Sequence, residues 1–334
     1  MVGNTLSCSS DLTTEKHIDS ELPKVVAVVG CGLIGSSWAA LFAAYGLKVR
    51  VWDADPSNYE SSLHRVKQAL AQISRGRHRF SIDAASERIS YFSTLEEALA
   101  EVEYVQEAVS DRIDVKLQIF ERLDKLCDLH TVLASSTSSA PASEFASNLK
   151  GRARCLVAHP ANPPHLLPIV EIVPATFTAE GTMVRTQRLM RSLEQNPVIL
   201  KKEVVGFVMN RLQTALVNEA ISLVDEDVID PDGLDLIVSH SLGRRWAFMG
   251  PFETMDLNAA AGFLDYALKY KVNYERRGAL LNVGKKWSDD TLRRIEASRR
   301  KIVPTNELVS RQLWRDENLV ALLSLEPASE DISR

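Results

Sequence analysis

A histidine and a glutamate in neighbouring apolar segments are the residues of this sequence best suited to acid–base chemistry. His159 ends a short apolar run before Pro160, and Glu171 lies inside the apolar run 169–173. A carboxylate is costly to bury unless it has a partner, and a carboxylate partner can fix the tautomer of a histidine that titrates near neutral pH. An isolated histidine would more often be structural. The added glutamate favours a general base that removes a hydroxyl proton while hydride leaves carbon.

Three glycines lie where a predicted strand passes into a predicted helix. Gly30, Gly32 and Gly35 follow the apolar run 24–29. There the first glycine permits a tight turn, the second lets the backbone approach a pyrophosphate, and the third lets helix and strand pack closely. Asp53 ends the next predicted strand, where a carboxylate can bond both ribose hydroxyls of NAD and repel the 2′-phosphate of NADP. The pattern predicts an NAD site, with a purely structural turn as the alternative.

Two further polar stretches follow apolar segments and could contact a substrate. Small hydroxyl side chains occupy residues 135–139, and several of them could hold a ribose or substrate oxygen, although a serine-rich loop or helix cap is the alternative. Asn210, beside Arg211, lies in the apolar helical segment 206–212, where an amide needs a hydrogen-bonding partner. That partner is either structural or a substrate hydroxyl.

The first part of the chain alternates strand-like and helical segments. Strands are predicted at 24–29, 48–52, 104–109, 132–135, 154–159 and 169–173, and a basic loop at 75–79. Such alternation predicts an α/β fold, a mainly parallel, doubly wound sheet of the Rossmann type. After Gly206 only helical spacing remains. We therefore expect residues 24–205 to bind NAD, residues 206–334 to form an all-helical domain for substrate and dimerisation, and residues 1–23 to be a flexible tail.

The composition is that of an ordinary globular protein. The 334 residues are 45% hydrophobic and 25% charged, and 39 Lys+Arg against 44 Asp+Glu give a net charge of −5. This charge is too mild to indicate a nucleic acid or an acidic membrane surface, and no apolar run approaches the roughly 20 residues that span a bilayer. The four cysteines have no metal-like spacing and fit a reducing compartment. From the cysteine spacing we expect no metal site. Because residues 1–23 lack the features of a secretory or transit signal, we expect a cytoplasmic protein.

Together, these motifs resemble the L-3-hydroxyacyl-CoA dehydrogenase family over residues 24 to about 264. The resemblance is carried by short motifs spread over both predicted domains: Gly30, Gly32 and Gly35; Thr137, Ser138 and Ser139; His159, Pro160, Asn162 and Pro163; Glu171; Gly206, Phe207, Asn210 and Arg211; and Gly250, Pro251, Phe252 and Glu253. Longer stretches at 157–164, 203–213 and 314–317 resemble one subgroup of that family, which acts on L-gulonate.

The resemblance implies catalytic and substrate-binding roles. His159 would be the general base, and Glu171 would orient it. Ser138 and Asn210 would contact the substrate near the reacting hydroxyl. Arg245 matches an arginine of the subgroup that would face the substrate carboxylate across a dimer interface.

The resemblance also implies which residues hold the cofactor. Beside the three glycines, Leu33, Ile34 and Asp53 would hold the adenosine side of NAD. The family carries an acid and a lysine after the strand that ends near residue 109, and these fall on Asp111 and Lys116. The acid is commonly glutamate in relatives, so Asp111 departs from the family pattern.

The implied activity is NAD-dependent oxidation of the C3 hydroxyl of a 3-hydroxy acid, and within the subgroup oxidation of L-gulonate to 3-dehydro-L-gulonate by a homodimer. An L-3-hydroxyacyl-CoA or 3-hydroxybutyrate dehydrogenase is the alternative, in which the basic run 75–79 could bind CoA phosphates; a solvated loop explains that run more simply. Relatives also accumulate as a structural lens protein. Retention of His159, Glu171, Ser138 and Asn210 argues against a purely structural chain.

Overall fold

The structure, a computed structural model, describes residues 22–77, 79–281 and 287–324. The chain divides into two compact units, Met1–Glu203 and Val204–Arg334. The prediction of a flexible tail falls largely on residues outside the described ranges, as do Cys8, His17 and His78. Within the described ranges, no helix is long and apolar enough to cross a membrane.

The first unit is built on an eight-stranded sheet with the strand order β3-β2-β1-β4-β5-β6-β7-β8. All neighbouring strands are parallel except β6 and β7, which are antiparallel. The winding direction reverses between β1 and β4, which is where doubly wound sheets bind ligands. The strands are β1 (Val25–Val29), β2 (Lys48–Trp52), β3 (Ile89–Tyr91), β4 (Tyr104–Glu107), β5 (Val132–Ser135), β6 (Cys155–Pro160), β7 (Ile169–Pro174) and β8 (Asn196–Ile199).

Seven α-helices lie in the described part of this unit. They are α1 (Leu33–Ala44), α2 (Asn58–Gly76), α3 (Ile82–Ser86), α4 (Leu95–Ala98), α5 (Ile113–Leu126), α6 (Ala142–Ala146) and α7 (Glu180–Ser192). Helix α2 continues through Arg75 and Gly76, so the predicted loop at 75–79 begins too early. Sequence analysis did not predict α7, because its buried face includes Thr182 and Thr186 and therefore lacks a continuous apolar stripe.

Helix α1 lies at the centre of the core and carries the glycine turn at its start. Every residue from Gly35 to Ala44 is buried, because the helix is apolar on all sides. Trp38 and Phe42 stack with ring centroids 5.4 Å apart. This packing fixes the turn against the sheet.

The second unit is helical, and its described residues contain no strand. Its helices are α8 (Met209–Asp225), α9 (Pro231–Ile237), α10 (Gly243–Trp246), α11 (Pro251–Asp256), α12 (Phe263–Gly278), α13 (Asp289–Ile302) and α14 (Leu308–Leu323). The predicted fold class is thereby confirmed. Asn210 lies in the first turn of α8 rather than inside a helix, because Gly206 and Phe207 have φ values of +72° and +50° and delay the helix start.

Candidate active site

The turn between β1 and α1 needs glycine at two of its three glycine positions, because a side chain there would collide with the protein's own backbone. Gly30 has a φ of +96°, and a Cβ there would lie 2.7 Å from the carbonyl carbon of Ala108. A Cβ at Gly35 would lie 1.8 Å from the carbonyl oxygen of Gly30. At Gly32 a Cβ would meet no atom within 4 Å. The space beside Gly32 is therefore open, as expected where the backbone must approach a pyrophosphate, and the turn fits NAD.

Asp53 follows β2 and is bonded to the glycine turn. Its Oδ2 accepts a hydrogen bond from the Cys31 N–H at 2.7 Å. Its Oδ1 accepts from the Asp55 N–H at 2.9 Å and from the Asn58 side-chain amide at 3.1 Å. Because a carboxylate offers about four lone-pair sites, a ribose can add at most one hydrogen bond while these three remain. We expected Asp53 to bond both ribose hydroxyls; with its present hydrogen bonds it can accept from only one of them.

Two side chains at the start of α1 were expected to hold the adenosine of NAD. Leu33 is 69% exposed, although it is a large apolar residue, and Ile34 is half-buried against the core. Both lie beside the open space at Gly32. Their expected role stays a prediction.

An ion network at the carboxyl ends of β4 and β5 joins the buried Lys116 and Glu107 to the exposed Asp111. Nζ of Lys116 donates to both carboxylate oxygens of Glu107, at 3.1 and 3.2 Å, and pairs with Oδ1 of Asp111 at 3.2 Å. Oδ2 of Asp111 accepts from the backbone N–H of Ser138 at 2.9 Å and from its hydroxyl at 2.5 Å. All three ammonium hydrogens thus face carboxylates, so Lys116 could bond NAD only by giving up one of these contacts.

Glu107 is a residue of this network that sequence analysis missed. It is fully buried, and burial raises the pKa of its carboxyl group, against the opposing effects of the Lys116 charge and the Ser135 hydrogen bond. The Val109 N–H also donates to it, at 2.7 Å. The signal was present in the sequence, since an acid inside an apolar strand is what singled out Glu171.

Asp111 is held in its ionised form. Burial alone would raise its pKa, but hydrogen bonds from Ser138 and Thr137 and the charge of Lys116 lower the pKa to about 2. The side chain therefore acts as a fixed anion that positions the Ser138 hydroxyl.

His159 and Glu171 form a buried pair across the antiparallel strands β6 and β7. The register places them directly opposite each other, and Nδ1 of His159 lies 2.8 Å from Oε2 of Glu171. They are only 5% and 4% exposed. Because β5 and β6 are parallel, the loop that carries Ser138 follows β5 at the same sheet edge as His159. The glycine turn follows β1 at that edge too.

Arg77, in the basic run 75–79, and His165, close behind His159 in the sequence, have hydrogen-bonding partners away from the candidate site. The Arg77 guanidinium donates to the carbonyl oxygens of Leu193 and Glu194, at 3.1 and 3.2 Å, so the expectation of a solvated side chain is wrong there. The ring nitrogens of His165, which follows the Pro163–Pro164 pair, lie 2.6 Å from the Ser37 hydroxyl and 2.7 Å from the side-chain oxygen of Gln72. This histidine braces α1 and α2.

The remaining predicted site residues belong to the helical unit. Asn210 lies in the first turn of α8, and Arg245 is exposed on the short helix α10. Their predicted contacts with substrate stay predictions.

The described cysteines are buried free thiols, as their scatter in the sequence predicted. Burial raises the pKa of Cys31, Cys127 and Cys155 to about 12 each. They therefore stay protonated at neutral pH and behave as small core residues.

A nucleotide-binding turn and a paired histidine on one edge of a doubly wound sheet define a dehydrogenase that uses NAD. Residues 25–204 match the family described as 3-hydroxyacyl-CoA dehydrogenase, NAD binding domain. Residues 206–288 match the family described as 3-hydroxyacyl-CoA dehydrogenase, C-terminal domain. The chain belongs to the 3-hydroxyacyl-CoA dehydrogenase family.

Similar proteins are known from animals and bacteria. Lambda-crystallin from Oryctolagus cuniculus is 38% identical over 306 residues, which cover 90% of this chain and 96% of the relative. L-carnitine dehydrogenase from a Pseudomonas species is 35% identical over 234 residues, covering 70% and 72% of the two chains. The solved structure of 5-formyl-3-hydroxy-2-methylpyridine 4-carboxylic acid 5-dehydrogenase, an NAD+-dependent dismutase, is 27% identical with a TM-score of 0.79 and covers 91% and 99%.

Proposed function

We propose that the protein oxidises the C3 hydroxyl of L-gulonate to 3-dehydro-L-gulonate with NAD as the hydride acceptor. Membership of the family gives the coarser statement, an NAD-dependent dehydrogenase acting on a small molecule. The observation that carries the proposal is the His159–Glu171 pair at 2.8 Å, on the sheet edge that also carries the glycine turn and the Ser138 loop.

The proposed chemistry follows from the donors and acceptors of this pair. When bound, NAD accepts the hydride that leaves C3. An ionised Glu171 can only accept, so Nδ1 of His159 carries the hydrogen and Nε2 presents its lone pair to the substrate hydroxyl. His159 takes that proton, and Glu171 stabilises the resulting imidazolium. Ser138 and Asn210 hold the reacting hydroxyl. Because the Ser138 hydroxyl donates its single hydrogen to Asp111, it must give up that contact in order to donate to the substrate oxygen.

A free acid as substrate is supported by the relatives' names and by Arg245. L-carnitine and the pyridine carboxylic acid are small carboxylates, and lambda-crystallin represents the subgroup that the longer motifs resemble. An exposed guanidinium on α10 can bind a carboxylate through two charge-assisted hydrogen bonds. A CoA thioester has no charge at the corresponding position.

Two other functions have some support. A relative from Gibberella moniliformis, 34% identical over 293 residues, is named 3-hydroxyacyl-CoA dehydrogenase. The bonds of Arg77 to backbone carbonyls speak against its use for CoA phosphates. A crystallin-like structural role is supported by the name of the rabbit relative, but such a role does not need the buried pairing of His159 with Glu171.

The experiment that tests the proposed function is an assay of NADH formation by the full-length protein. L-Gulonate, DL-3-hydroxybutyrate and 3-hydroxybutyryl-CoA are compared under the same conditions. We expect the highest kcat/KM with L-gulonate. A higher value with the CoA thioester would replace the proposed substrate, and no turnover with any of the three would favour the structural role.

We further propose that the functional form is a homodimer. On α12, Leu264, Leu268 and Val272 follow one another at intervals of four residues and are 65%, 68% and 72% exposed. Such a stripe on one face of a helix is typical of a contact surface. A second copy of the chain is the occupant we propose, in line with the family resemblance.

Leu268→Glu tests the dimer by placing a charge in the middle of the stripe. The wild-type protein should have twice the 37.1 kDa mass of the chain in multi-angle light scattering, and the variant should shift towards a single chain. Asn273→Glu adds the same charge to an exposed position outside the stripe and should leave the mass unchanged. A wild-type protein with the mass of one chain would contradict the proposal.

A further inference from the structure

A glutamine amide lies fully buried in β4, beneath the candidate site. Gln106 is 0% exposed in the middle of a strand whose neighbours are buried as well. A buried amide is costly unless its groups are hydrogen-bonded, so the partners of Gln106 indicate what it does. Neither the proposed mechanism nor the cofactor site uses this residue.

The amide of Gln106 has a partner for each of its groups. Its Oε1 accepts a hydrogen bond from the Tyr104 hydroxyl at 2.8 Å. Its Nε2 donates to the Ser136 hydroxyl at 2.7 Å and to the carbonyl oxygen of Ala158 at 3.2 Å. Because the Tyr104 hydroxyl bonds the oxygen, the nitrogen is directed at Ser136, which follows β5, and at Ala158 in β6.

These two contacts lie directly beyond the last paired residues of β5 and β6. The parallel ladder between β5 and β6 ends at the pair Ser135 and Val157. The next residues along the two strands are Ser136 and Ala158, which the ladder does not join. The side-chain amide of Gln106 connects them instead, through its bonds to the Ser136 hydroxyl and to the Ala158 carbonyl oxygen.

We propose that Gln106 is a positioning residue for the dehydrogenase reaction. Ser136 lies two residues before Ser138, and Ala158 directly precedes His159. The amide therefore fixes the separation between the substrate-contacting hydroxyl and the base. This inference rests on the proposed roles of His159 and Ser138.

Gln106→Met tests the inference because it keeps the length of the side chain but removes its hydrogen bonds. Looser placement of reacting groups is costly, since a displacement of about 1 Å can cost 10²-fold in rate. We expect kcat to fall by roughly tenfold and the Kd for NAD to stay unchanged, since the glycine turn is not touched. The primary deuterium isotope effect with C3-deuterated substrate should rise, because hydride transfer becomes slower relative to the other steps.

Thr182→Val is the matched control for the loss of a buried hydrogen bond to the same strand region. Its hydroxyl donates to the carbonyl of Ala153, just before the amino end of β6, at 3.0 Å, and the residue is 3% exposed. We expect kcat to be unchanged in this variant. Ser136→Ala, at a half-buried position, removes one end of the bridge and serves if Gln106→Met does not fold; it should lower kcat by a smaller factor.

Amide hydrogen exchange gives a readout that is independent of turnover. Gln106→Met should raise exchange at residues 136–140 and at Ala158 and His159, and Thr182→Val should not. Equal kcat and equal exchange in Gln106→Met and Thr182→Val would overturn the inference. If instead the wild-type protein oxidises no 3-hydroxy acid, or His159→Gln keeps its full activity, the proposed function fails and the positioning role fails with it; the exchange result then shows only whether Gln106 holds the two segments together.

Discussion

The candidate functional side chains are buried in the sheet unit but exposed in the helical unit. In the sheet unit, His159, Glu171, Glu107 and Lys116 are buried and bonded to one another in pairs. In the helical unit, Arg245 is exposed, and large apolar side chains such as those of α12 face outwards. In the proposed mechanism, the sheet therefore sets the position of the base and of its carboxylate partner. In our proposals, substrate recognition and dimerisation depend instead on exposed side chains of the helical unit.

The largest effect is expected in the sheet unit, at His159. His159→Gln should lower kcat by about 10² to 10⁴-fold, since it removes the general base, while the Kd for NADH stays unchanged. Glu171→Gln should be milder or comparable, because the base remains but loses its orientation and charge. Steady-state NADH formation and fluorescence titration with NADH measure the two quantities.

The control for this variant is His165→Gln, which replaces an equally buried histidine that bonds Ser37 and Gln72. It should retain most of its kcat. Near wild-type activity in His159→Gln would remove the base from the mechanism.

The next largest effect is expected in the helical unit, at Arg245. Arg245→Ala should raise the KM for L-gulonate by roughly 10- to 100-fold, because a hydrogen bond to a charged group is worth about 1.5–3 kcal/mol. The neighbouring Arg244→Ala removes the same charge from the same exposed helix and should leave KM nearly unchanged. An equal KM in the two variants, or loss of the dimer in Arg245→Ala, would show that Arg245 has a structural role. It would also favour a CoA thioester as the substrate.

A smaller effect is expected for cofactor choice at Asp53. Asp53→Ala should narrow the preference for NAD over NADP by about tenfold in kcat/KM, or about 1.4 kcal/mol, by removing repulsion of the 2′-phosphate. Asp55→Ala deletes an exposed carboxylate two residues away and should keep the wild-type ratio. Wild-type protein that uses both cofactors equally would show that Asp53 does not face the ribose.

The smallest effect is expected in the pH dependence of stability through Asp111. Its pKa in the folded protein, about 2, lies below the ordinary value of 3.8. Its contribution to stability is therefore present above about pH 4 and is lost as the pH falls towards 2. The midpoint of urea unfolding should drop less between about pH 5 and pH 3 in Asp111→Asn than in the wild type. The same drop in both proteins would contradict the assigned hydrogen bonds.

Sequence patterns were sufficient where the functional residue sits within a short, strongly patterned segment. The glycine turn, Asp53 and the strand-end position of His159 each follow from a few consecutive residues and the ordinary geometry of a strand, a turn and a helix. The acid in the apolar run 169–173 predicted a partner. Sequence analysis paired this acid with His159, and the antiparallel register of β6 and β7 places the two residues opposite each other.

Other features depend on contacts that no local pattern contains. Gln106 reaches across β5 to β6, and Lys116 on α5 meets Glu107 on β4, so both pairings appear only once the sheet order is known. Arg77 was assigned to a solvated loop, yet its partners are backbone carbonyls more than a hundred residues later in the chain. The predicted start of α8 was too early because Phe207 adopts a left-handed conformation, which is uncommon for a residue other than glycine.

The most direct test of the account is a crystal structure of the full-length protein with NADH and L-gulonate bound together. The account predicts that the C3 hydroxyl oxygen lies about 2.6–3.2 Å from Nε2 of His159, with the Ser138 hydroxyl at similar distance, and that C3 faces the nicotinamide. A bound L-gulonate whose C3 hydroxyl is out of hydrogen-bonding reach of His159, while another side chain contacts it, would contradict the account.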